Sequence, residues 1–420
     1  METFVVSGGK KLIGEIEISG SKNSAVALVP AALLIEGTCT IGNVPYIKDI
    51  IVLKDILDQI GVKLEFIDEN TIQIDSTGLN TNIADTEVVK EMRASYYLMG
   101  ALLGRFQKAT VPFPGGCDFG SRPIDQHVKG FEAMGAVVTI EGGLIKIDSN
   151  GIVGASVYLD MPSVGATINI MLAATTADGI TTIENAAKEP HIVDLANFLN
   201  AMGAKVTGAG TDIIKIRGVE KLEGGRTYYT IPDQIEAGTY MIAAAVTDGD
   251  VKINNLIPKH MESLTAKMVE MGVEIEEGED YIHIKGASNL KRVNIKTLPY
   301  PGFPSDLHPQ MAVLLGMTEG HCEITEEVWP ERFQYVNQLK MMGAKIEVAG
   351  NRASIHGKWD LSGAPVKATD LRAGIAMVLA GLVARGKTKI ANIHYIDRGY
   401  ENMVEKMRSL GADIERCNKV

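Results

Sequence analysis

The sequence predicts an α/β fold made of six repeated units of about 70 residues, arranged as two domains of three units each. The first observation is a tripeptide of the Met-Gly-Ala type that recurs along the whole chain, with 68 to 74 residues between successive copies. Its glycines are Gly61, Gly135, Gly203, Gly272, Gly343 and Gly411. The second observation is the length of 420 residues, which is more than one compact core accommodates. A fixed period of this kind indicates a repeat architecture.

Each unit opens with a segment that is nearly free of charge. Examples are residues 25–34, 168–174 and 240–245, where alanine, leucine, isoleucine, valine and methionine dominate. A helix that is apolar on all sides has to be buried on all sides. We therefore expect one interior helix from each unit.

A short strand and an amphipathic helix follow the interior helix. The strand segments have a common Thr/Val-x-Ile-x-Asn flavour, as in 182–185 and 251–254. The amphipathic helix ends at the repeated glycine, the residue expected at a helix C-terminus, as in 191–202 and 398–410. Alternating segments such as 213–216 then close the unit as strands.

The two ends of the chain belong to the same unit in this interpretation. Few residues follow Gly411, so the sixth unit lacks its closing strands, and segments 4–6 and 13–18 resemble the missing pair. Residues 1–20 would then complete it. The predicted domains are 21–230, with repeats 1–3, and 1–20 plus 231–420, with repeats 4–6, and the chain crosses twice between them.

Composition excludes several classes of protein. Hydrophobic residues at 45% and charged residues at 22% are ordinary for a globular protein, and no apolar run reaches the roughly 20 residues of a membrane helix. The four cysteines show no Cys-x-x-Cys spacing, and the N-terminus has no signal-peptide pattern. A net charge of −11 does not favour nucleic acid as a partner. We expect a cytoplasmic monomer that uses no metal or cofactor and contacts no membrane.

Cations stand where helices begin, which is unusual because helix N-termini carry partial positive charge. One such residue is ordinarily a solvated surface cation, but a set at corresponding places of a repeat predicts a site for a multiply charged anion. The set is Lys22, Arg93 and Arg372 at interior helices, and Lys48, Arg122, Lys259, Arg332 and Arg398 at amphipathic ones. Asp233 and Asp306 occupy the interior-helix position instead, where a carboxylate could serve as a base or a hydroxyl acceptor.

Residues 112–123 have the composition of an ordered but movable lid, with three glycines and three prolines in twelve positions. Cys117 lies in the middle of this segment. A lone cysteine is ordinarily an inert core residue, but this segment is too polar for a core. A thiol close to cations and to a helix N-terminus should have a lowered pKa, so Cys117 is predicted to be an acid or a nucleophile.

Six motifs together resemble the UDP-N-acetylglucosamine enolpyruvyl transferases (UDP-N-acetylglucosamine 1-carboxyvinyltransferases), over essentially the whole chain. They occupy residues 20–25, 114–117, 122–125, 163–167, 302–306 and 397–400. The resemblance implies an inside-out α/β barrel fold, with two pseudo-threefold domains and the active site in the cleft between them. It also implies the first committed step of bacterial peptidoglycan synthesis. In that reaction the enolpyruvyl group of phosphoenolpyruvate moves to the 3′-hydroxyl of UDP-N-acetylglucosamine and phosphate leaves, by addition and elimination through a tetrahedral intermediate.

The resemblance also implies roles for individual residues. Lys22, Arg122 and Arg398 would hold phosphate, and Arg332 and Arg372 would support phosphoenolpyruvate and the closed state. Asp306 would accept the proton of the 3′-hydroxyl. Cys117 would be the general acid at the vinyl carbon and the thiol that fosfomycin alkylates. The predicted nucleotide-sugar contacts are Asn23, Arg93, Arg122, Pro123, Ile124, Asp125, Gln126, Ser163, Val164, Gly165 and Val328, and the helix-start residues Lys48 and Asp233 complete the predicted binding set. Met161-Pro162 stands where the family often has a basic residue, which places one diphosphate contact in question.

Three other functions fit the sequence less well. The sister enzyme 5-enolpyruvylshikimate-3-phosphate (EPSP) synthase, which transfers the enolpyruvyl group to another acceptor, has the same fold. That enzyme lacks the Pro-Gly-Gly-Cys lid, and its Ser-Gly-Asn-Ala-Gly-Thr type of signature is not seen in this sequence. A DNA sliding clamp needs cations spread along helices rather than at their starts. A catalytically silent paralogue would have no need of Cys117, Asp306, Lys22 and Arg398 together.

Overall fold

The computed structural model describes residues 2–85, 89, 93–113, 124–286 and 289–418. Within these ranges the chain forms two compact domains. Domain I comprises the described residues within 20–113 and 124–231, and domain II comprises those within 2–19 and 232–418. Each has its own hydrophobic core. None of the described helices is both long enough and apolar enough to span a membrane.

The α-helices alternate between interior and peripheral positions. They are α1 Lys22–Ala31, α2 Lys48–Gln59, α3 Tyr97–Phe106, α4 Asp125–Ala133, α5 Val164–Ala174, α6 Pro190–Ala201, α7 Gln234–Val246, α8 Glu262–Glu270, α9 His308–Gly316, α10 Val336–Met341, α11 Leu371–Val383 and α12 Met403–Ser409. Short 3-10 helices lie at Ala32–Leu34, Arg93–Tyr96, Pro258–Met261, Ser305–Leu307 and Ile393–Arg398.

The strands are short. They are β1 Thr3–Ser7, β2 Ile13–Glu17, β3 Ile35–Glu36, β4 Thr38–Gly42, β5 Lys63–Asp68, β6 Thr71–Asp75, β7 Lys108–Pro112, β8 Val137–Glu141, β9 Leu144–Asp148, β10 Ser156–Tyr158, β11 Ile180–Glu184, β12 Lys205–Thr207, β13 Ile213–Arg217, β14 Leu222–Glu223, β15 Thr227–Tyr229, β16 Asp250–Asn254, β17 Glu274–Glu277, β18 Tyr281–Lys285, β19 Ile295–Lys296, β20 His321–Thr325, β21 Ile346–Ala349, β22 Arg352–His356, β23 Pro365–Lys367, β24 Lys387–Ala391 and β25 Asp413–Cys417.

The charge-free helices are interior, as the sequence predicts. Helices α1, α3 and α5 in domain I and α7, α9 and α11 in domain II are buried along most of their length, and in α7 every residue from Ile235 to Val246 is buried. Helices α3 and α5 approach so closely that a Cβ on Gly100 would lie 2.3 Å from the carbonyl oxygen of Asn169. Only glycine permits that approach.

Five four-stranded sheets share one topology, in which an edge strand runs parallel to its neighbour and two antiparallel strands follow. Their orders are β15-β4-β6-β5 and β10-β11-β13-β12 in domain I, and β2-β16-β18-β17, β19-β20-β22-β21 and β23-β24-β1-β25 in domain II. Domain I also contains a three-stranded sheet, β7-β9-β8, and a two-stranded parallel sheet, β14-β3. In β13 the buried Ile214 and Ile216 alternate with exposed residues, so one sheet face packs inward. Helices inside and sheets outside confirm the predicted fold class.

The chain ends differ from the prediction in two respects, because the sixth unit has one closing strand of its own, β25, and only one of the two N-terminal strands joins it. Strand β25 follows Gly411 and pairs with β1, and β1 also pairs with β24, so one N-terminal strand does complete the sixth unit. The second N-terminal strand, β2, instead pairs in parallel with β16 of the fourth unit. The sequence pattern predicted two strands at the N-terminus. It did not show that they join different sheets, because strand pairing depends on the register of residues far apart in the chain.

Candidate active site

Asp306 is held between two arginines in domain II. Its Oδ1 lies 2.8 Å from Nη2 of Arg332, and its Oδ2 lies 3.1 Å from Nη2 of Arg372. The arginine side chains are only 5% exposed, whereas that of Asp306 is 31% exposed. Burial raises the pKa of Asp306, but the charges of Arg372 and Arg332 outweigh it and hold that pKa well below its usual range. The carboxylate is therefore ionised at neutral pH.

The backbone explains why Arg372 is tolerated at a helix start. It is the second residue of α11, where a cation opposes the helix dipole. Asp370 caps this helix and accepts hydrogen bonds from the backbone N–H groups of Arg372 and Ala373, at 2.8 and 3.0 Å. Together, Asp370 at the cap and Asp306 at the guanidinium supply the negative charge that the position requires.

Tyr400 and a small polar group lie behind Arg372. Nη1 of Arg372 is 3.4 Å from the Tyr400 hydroxyl, which in turn is 2.8 Å from Oγ1 of Thr239. Gln310 donates to that threonine oxygen at 3.3 Å and to the backbone oxygen of Asp306 at 3.1 Å. Thr239 of α7, Gln310 of α9 and Tyr400 therefore orient the arginine and the aspartate. The sequence motif 397–400 contained Tyr400, but only Arg398 was assigned a role from it.

Arg398 and Arg332 are placed differently from the prediction. Arg398 is the last residue of the 3-10 helix Ile393–Arg398, and α12 begins only at Met403. Arg332 lies in a turn that precedes α10, which begins at Val336. Neither starts an amphipathic α-helix. Among the other predicted helix-start cations, Lys259 lies in the 3-10 helix Pro258–Met261 and is exposed and paired with Glu262, as an ordinary surface cation.

Asp233 is the N-cap of α7. Its Oδ1 accepts hydrogen bonds from the backbone N–H groups of Ile235 and Glu236, at 2.8 and 2.9 Å, and the residue is buried. Asp306, at the corresponding position before α9, instead lies in the 3-10 helix Ser305–Leu307 and pairs with arginines. The two carboxylates occupy equivalent positions in the sequence repeat, but Asp233 caps a helix whereas Asp306 forms ion pairs.

Domain I presents a second charged group at the starts of α1 and α2. Nζ of Lys22 lies 2.9 Å from Oδ2 of Asp49, and their side chains are only 13% and 4% exposed. Lys22 opens α1, whose cap Ser21 accepts from the N–H of Ser24 at 3.3 Å. The sequence singled out Lys48, which is exposed at the first position of α2, but missed Asp49 beside it. An acidic residue in a first helical turn looks routine in sequence, so no signal marked it.

The starts of α4 and α5 lie together in the same domain. Gln126 donates to Oδ2 of Asp160 at 2.9 Å, and its Oε1 accepts from the Asp160 backbone N–H at 2.9 Å. This ties the start of α4, which carries the predicted residues Ile124 and Asp125, to the segment before α5. There Ser163 caps the helix, Val164 opens it, and Gly165 follows.

Gly165 packs against α4, since a Cβ there would lie 2.8 Å from Nε2 of His127. In that neighbourhood Met161 is 58% exposed, and Lys129 forms an ion pair with Asp160 at 2.7 Å.

The remaining predicted residues are placed as follows. Asn23 is half-buried in α1, and Val328 is half-buried after β20 in domain II. Cys117, Arg122 and Pro123 lie outside the described residues, and so does the side chain of Arg93.

The described residues therefore present two separate groups of charged side chains, one in each domain. Domain II offers two buried guanidinium groups and an ionised carboxylate, which suits an anion and an acceptor for a proton. Domain I offers Lys22 beside helix N-termini. No cluster of three potential metal ligands occurs within the described part of the chain.

Comparison with known proteins points to one family. The family model for EPSP synthase (3-phosphoshikimate 1-carboxyvinyltransferase) matches residues 6–407. The chain is 57% identical over 419 residues to the UDP-N-acetylglucosamine 1-carboxyvinyltransferase 3 of Caldanaerobacter subterraneus subsp. tengcongensis, covering 100% of both. It is 54% identical over 417 residues to the UDP-N-acetylglucosamine 1-carboxyvinyltransferase of Clostridium botulinum, covering 99% of this chain and 100% of that one.

Solved structures agree on the fold. The enolpyruvyl transferase NikO from Streptomyces tendae superposes with a TM-score of 0.90 at 25% identity, covering 100% of this chain and 99% of that one. An EPSP synthase from Acinetobacter baumannii superposes with a TM-score of 0.77 at 20% identity, covering 100% of both chains. At that lower identity the similarity concerns the fold alone.

Proposed function

The chain belongs to the EPSP synthase (3-phosphoshikimate 1-carboxyvinyltransferase) family, and on that premise we propose that it is a UDP-N-acetylglucosamine 1-carboxyvinyltransferase of peptidoglycan synthesis. It transfers the enolpyruvyl group of phosphoenolpyruvate to the 3′-hydroxyl of UDP-N-acetylglucosamine and releases phosphate. The observation that carries this is identity of 54–57% to enzymes of that name over the full length of both domains. Shikimate 3-phosphate as the acceptor has no comparable support, because the EPSP synthase structure is only 20% identical.

The anion chemistry is assigned to the arginines around Asp306. Phosphoenolpyruvate carries a phosphate and a carboxylate, and a guanidinium group binds either with two parallel hydrogen bonds. Arg332 and Arg372 are already oriented by buried neighbours, which lowers the entropy lost when the anion binds. Arg398 and, in domain I, Lys22 complete the phosphate-binding set that the family resemblance implies.

Asp306 is the proposed acceptor for the 3′-hydroxyl proton. In the arrangement described, its two arginines make it a weak base, because they stabilise the ionised form. An anionic substrate that takes up the hydrogen bonds of Arg332 and Arg372 weakens this stabilisation and raises the pKa of Asp306. Binding of one substrate thus prepares the base that activates the other.

The reaction then follows in two balanced steps. The 3′-oxygen loses its proton to Asp306 and adds to C2 of phosphoenolpyruvate, while C3 takes a proton, which we assign to the Cys117 thiol. The resulting tetrahedral ketal loses phosphate from C2, which takes the proton held by Asp306, and loses a proton from C3 to the Cys117 thiolate, which restores the double bond and both side chains. Neither step changes an oxidation state overall, and the positive groups stabilise the departing phosphate.

Three further assignments belong to the same proposal. Fosfomycin is expected to alkylate Cys117, the chain to act as a monomer in the cytoplasm, and the nucleotide sugar to contact Asn23 and the segments around Gln126 and Ser163. The family resemblance supports all three, and the placement of Asn23, Gln126 and Ser163 at helix starts supports the last.

The deciding experiment measures phosphate release from phosphoenolpyruvate with UDP-N-acetylglucosamine or shikimate 3-phosphate as acceptor, with and without fosfomycin. We expect release only with the nucleotide sugar and none after fosfomycin treatment. Release with shikimate 3-phosphate alone would transfer the assignment to the sister reaction. No release with either acceptor would indicate the catalytically silent paralogue.

A further inference from the structure

The carboxylate of Glu326, directly after β20, is the centre of a buried hydrogen-bond network that the proposed reaction does not use. Both the Glu326 and the His308 side chains are 0% exposed. Five groups donate to the carboxylate: Oε1 receives Thr297 Oγ1 at 2.7 Å and the backbone N–H groups of Val328 and Trp329 at 2.9 and 2.8 Å, and Oε2 receives Ser305 Oγ and His308 Nδ1, both at 2.9 Å. A buried charge with this many donors is fully satisfied, so the network is rigid.

The Oε2 side of the network leads to the anion-binding arginine. Ser305 donates its only hydroxyl proton to Glu326, so its oxygen faces Arg332 as an acceptor, and Nη1 of Arg332 donates to it at 3.0 Å. Nη2 of the same guanidinium holds Asp306 at 2.8 Å. Since the guanidinium is planar, a contact at Nη1 also fixes the direction of Nη2.

The Oε1 side leads to the segment that carries Val328. Its backbone N–H and that of Trp329 both point at the same oxygen, which fixes the turn after β20. Thr297 closes this side, because its hydroxyl donates to Oε1 and accepts from the backbone N–H of Glu327 at 3.0 Å. Val328 is a predicted contact of the nucleotide sugar.

His308 and Tyr335 lock the charge state of the network. Burial lowers the pKa of His308, so it is neutral at pH 7, and its Nδ1–H donates to Glu326. Nε2 must then accept, and the Tyr335 hydroxyl lies 2.7 Å away as the donor. Although burial raises the pKa of Glu326, hydrogen bonds from His308, the Trp329 N–H and Thr297 hold it below its ordinary value. Glu326 is therefore ionised throughout the working pH range.

We propose that Glu326 is a positioning residue for both substrates. Its Oε2 orients Arg332 through Ser305, and its Oε1 holds the turn that carries Val328. Glu326 touches neither substrate. The inference rests on the proposed function, since that function assigns Arg332 to phosphoenolpyruvate and Val328 to the nucleotide sugar. One buried carboxylate thus positions residues that contact both substrates.

Two substitutions, each of which removes one hydroxyl oxygen, test the Oε2 side and the Oε1 side of Glu326 independently. Ser305→Ala removes the hydroxyl between Glu326 and Arg332, and we expect kcat/KM for phosphoenolpyruvate to fall about tenfold at saturating nucleotide sugar, the loss of one hydrogen bond to a charge. The dissociation constant of UDP-N-acetylglucosamine, measured by titration calorimetry, should stay within about twofold. Thr297→Val should show the reverse, with that dissociation constant raised about fivefold and the phosphoenolpyruvate parameter little changed.

Matched variants test whether the effects are specific. Thr297→Ser keeps the hydroxyl and should restore the affinity for the nucleotide sugar. Glu326→Gln replaces one carboxylate oxygen by an amide donor and should impair both substrates. Glu323→Gln removes a carboxylate from the outer side of β20, where Glu323 pairs with Arg352 and accepts a hydrogen bond from the Thr325 hydroxyl, and should leave both parameters unchanged.

The outcomes are separable from those of the functional proposal. If the unsubstituted protein does not release phosphate with UDP-N-acetylglucosamine, the proposed function has failed, and the variants have no bearing on that result. If it does, the inference is overturned when Ser305→Ala and Thr297→Val change the same parameter by the same factor, or when neither changes anything. Should Glu326→Gln fail to fold in a melting experiment, the Ser305→Ala and Thr297→Val variants still decide.

Discussion

Replacing Asp306 by asparagine tests how one carboxylate serves both the charge balance and the reaction. Asparagine keeps the shape and one acceptor oxygen but removes the charge that faces Arg332 and Arg372 at 2.8 and 3.1 Å. Loss of one partner of a buried ion pair costs about 3–5 kcal/mol, and the 31% exposure of Asp306 reduces this to about 1–2 kcal/mol. The expected change in unfolding free energy is therefore modest.

The pH dependence of that stability difference has a definite sign. The pKa of Asp306 is depressed in the folded state, so its contribution is fully present above its ordinary unfolded value of 3.8 and is lost as the pH falls below it. The unsubstituted chain and the Asp306→Asn variant should thus differ most at neutral pH and converge in acid. Asp360→Asn breaks a pair with Arg385 in which both side chains are 72% exposed, so it is the control and should change little at any pH.

The effect on turnover should be far larger than the effect on stability. A positioned general base contributes about 10² to 10⁴ in rate, so kcat for phosphate release should fall by at least about 100-fold in Asp306→Asn. Titration calorimetry should still detect nucleotide-sugar binding. A variant that folds normally and keeps kcat within about tenfold of the unsubstituted protein would refute the role of Asp306 as proton acceptor.

The other predictions concern both domains. Asp49→Asn removes the buried carboxylate 2.9 Å from Lys22 and should lower kcat/KM for phosphoenolpyruvate about tenfold in a phosphate-release assay; unchanged kinetics would mean that Lys22 needs no such orientation. Cys117→Ser should lose covalent labelling by fosfomycin, detectable as a missing mass shift, while nucleotide-sugar binding persists; a retained adduct would assign the label to another residue. Gly100→Ala places a methyl group 2.3 Å from a backbone oxygen and should destabilise domain I by about 1–3 kcal/mol, seen as a lower thermal midpoint; an unchanged midpoint would show that the helices can separate. Hydrogen bonds hold the folded pKa of Glu326 below its ordinary 4.5, so its contribution to stability is present above pH 4.5 and lost as the pH falls below that value; denaturant unfolding of Glu326→Gln should approach that of the unsubstituted chain only in acid.

The repeat architecture was accessible from the sequence because it depends on local properties. A helix without charges must be buried wherever it occurs, so α5 and α7 could be placed inside without knowledge of their neighbours. The repeated glycines were read as helix ends for an equally local reason, and Gly61 and Gly411 do have positive φ angles of 87° and 92°. The destination of β2 could not be foreseen, since both its possible sheets satisfy the same alternation.

The candidate site was accessible only in part. The motifs marked Lys22, Asp306, Arg332 and Arg372 as chemically important, and the structure pairs the last three within one group of domain II. Helix-start logic was misleading for Arg398, which ends a 3-10 helix, and for the exposed Lys259. The predictions for Cys117, Arg122 and Pro123 lie outside the described residues and stay predictions.

By itself the sequence determined the repeat, the interior helices, the family and most of the charged residues that the reaction needs, because periodicity, local composition and motifs are written along the chain. Only the tertiary structure decided which charges meet. Asp306 and Arg372 are 66 positions apart, and Lys22 meets Asp49 across two helices. Glu326 looked like any acidic residue at the end of a strand, and it became the centre of a network only when Thr297, Ser305 and His308 were folded around it. The energy of a buried charge depends on the donors within about 3 Å, and that distance is set by packing rather than by sequence separation.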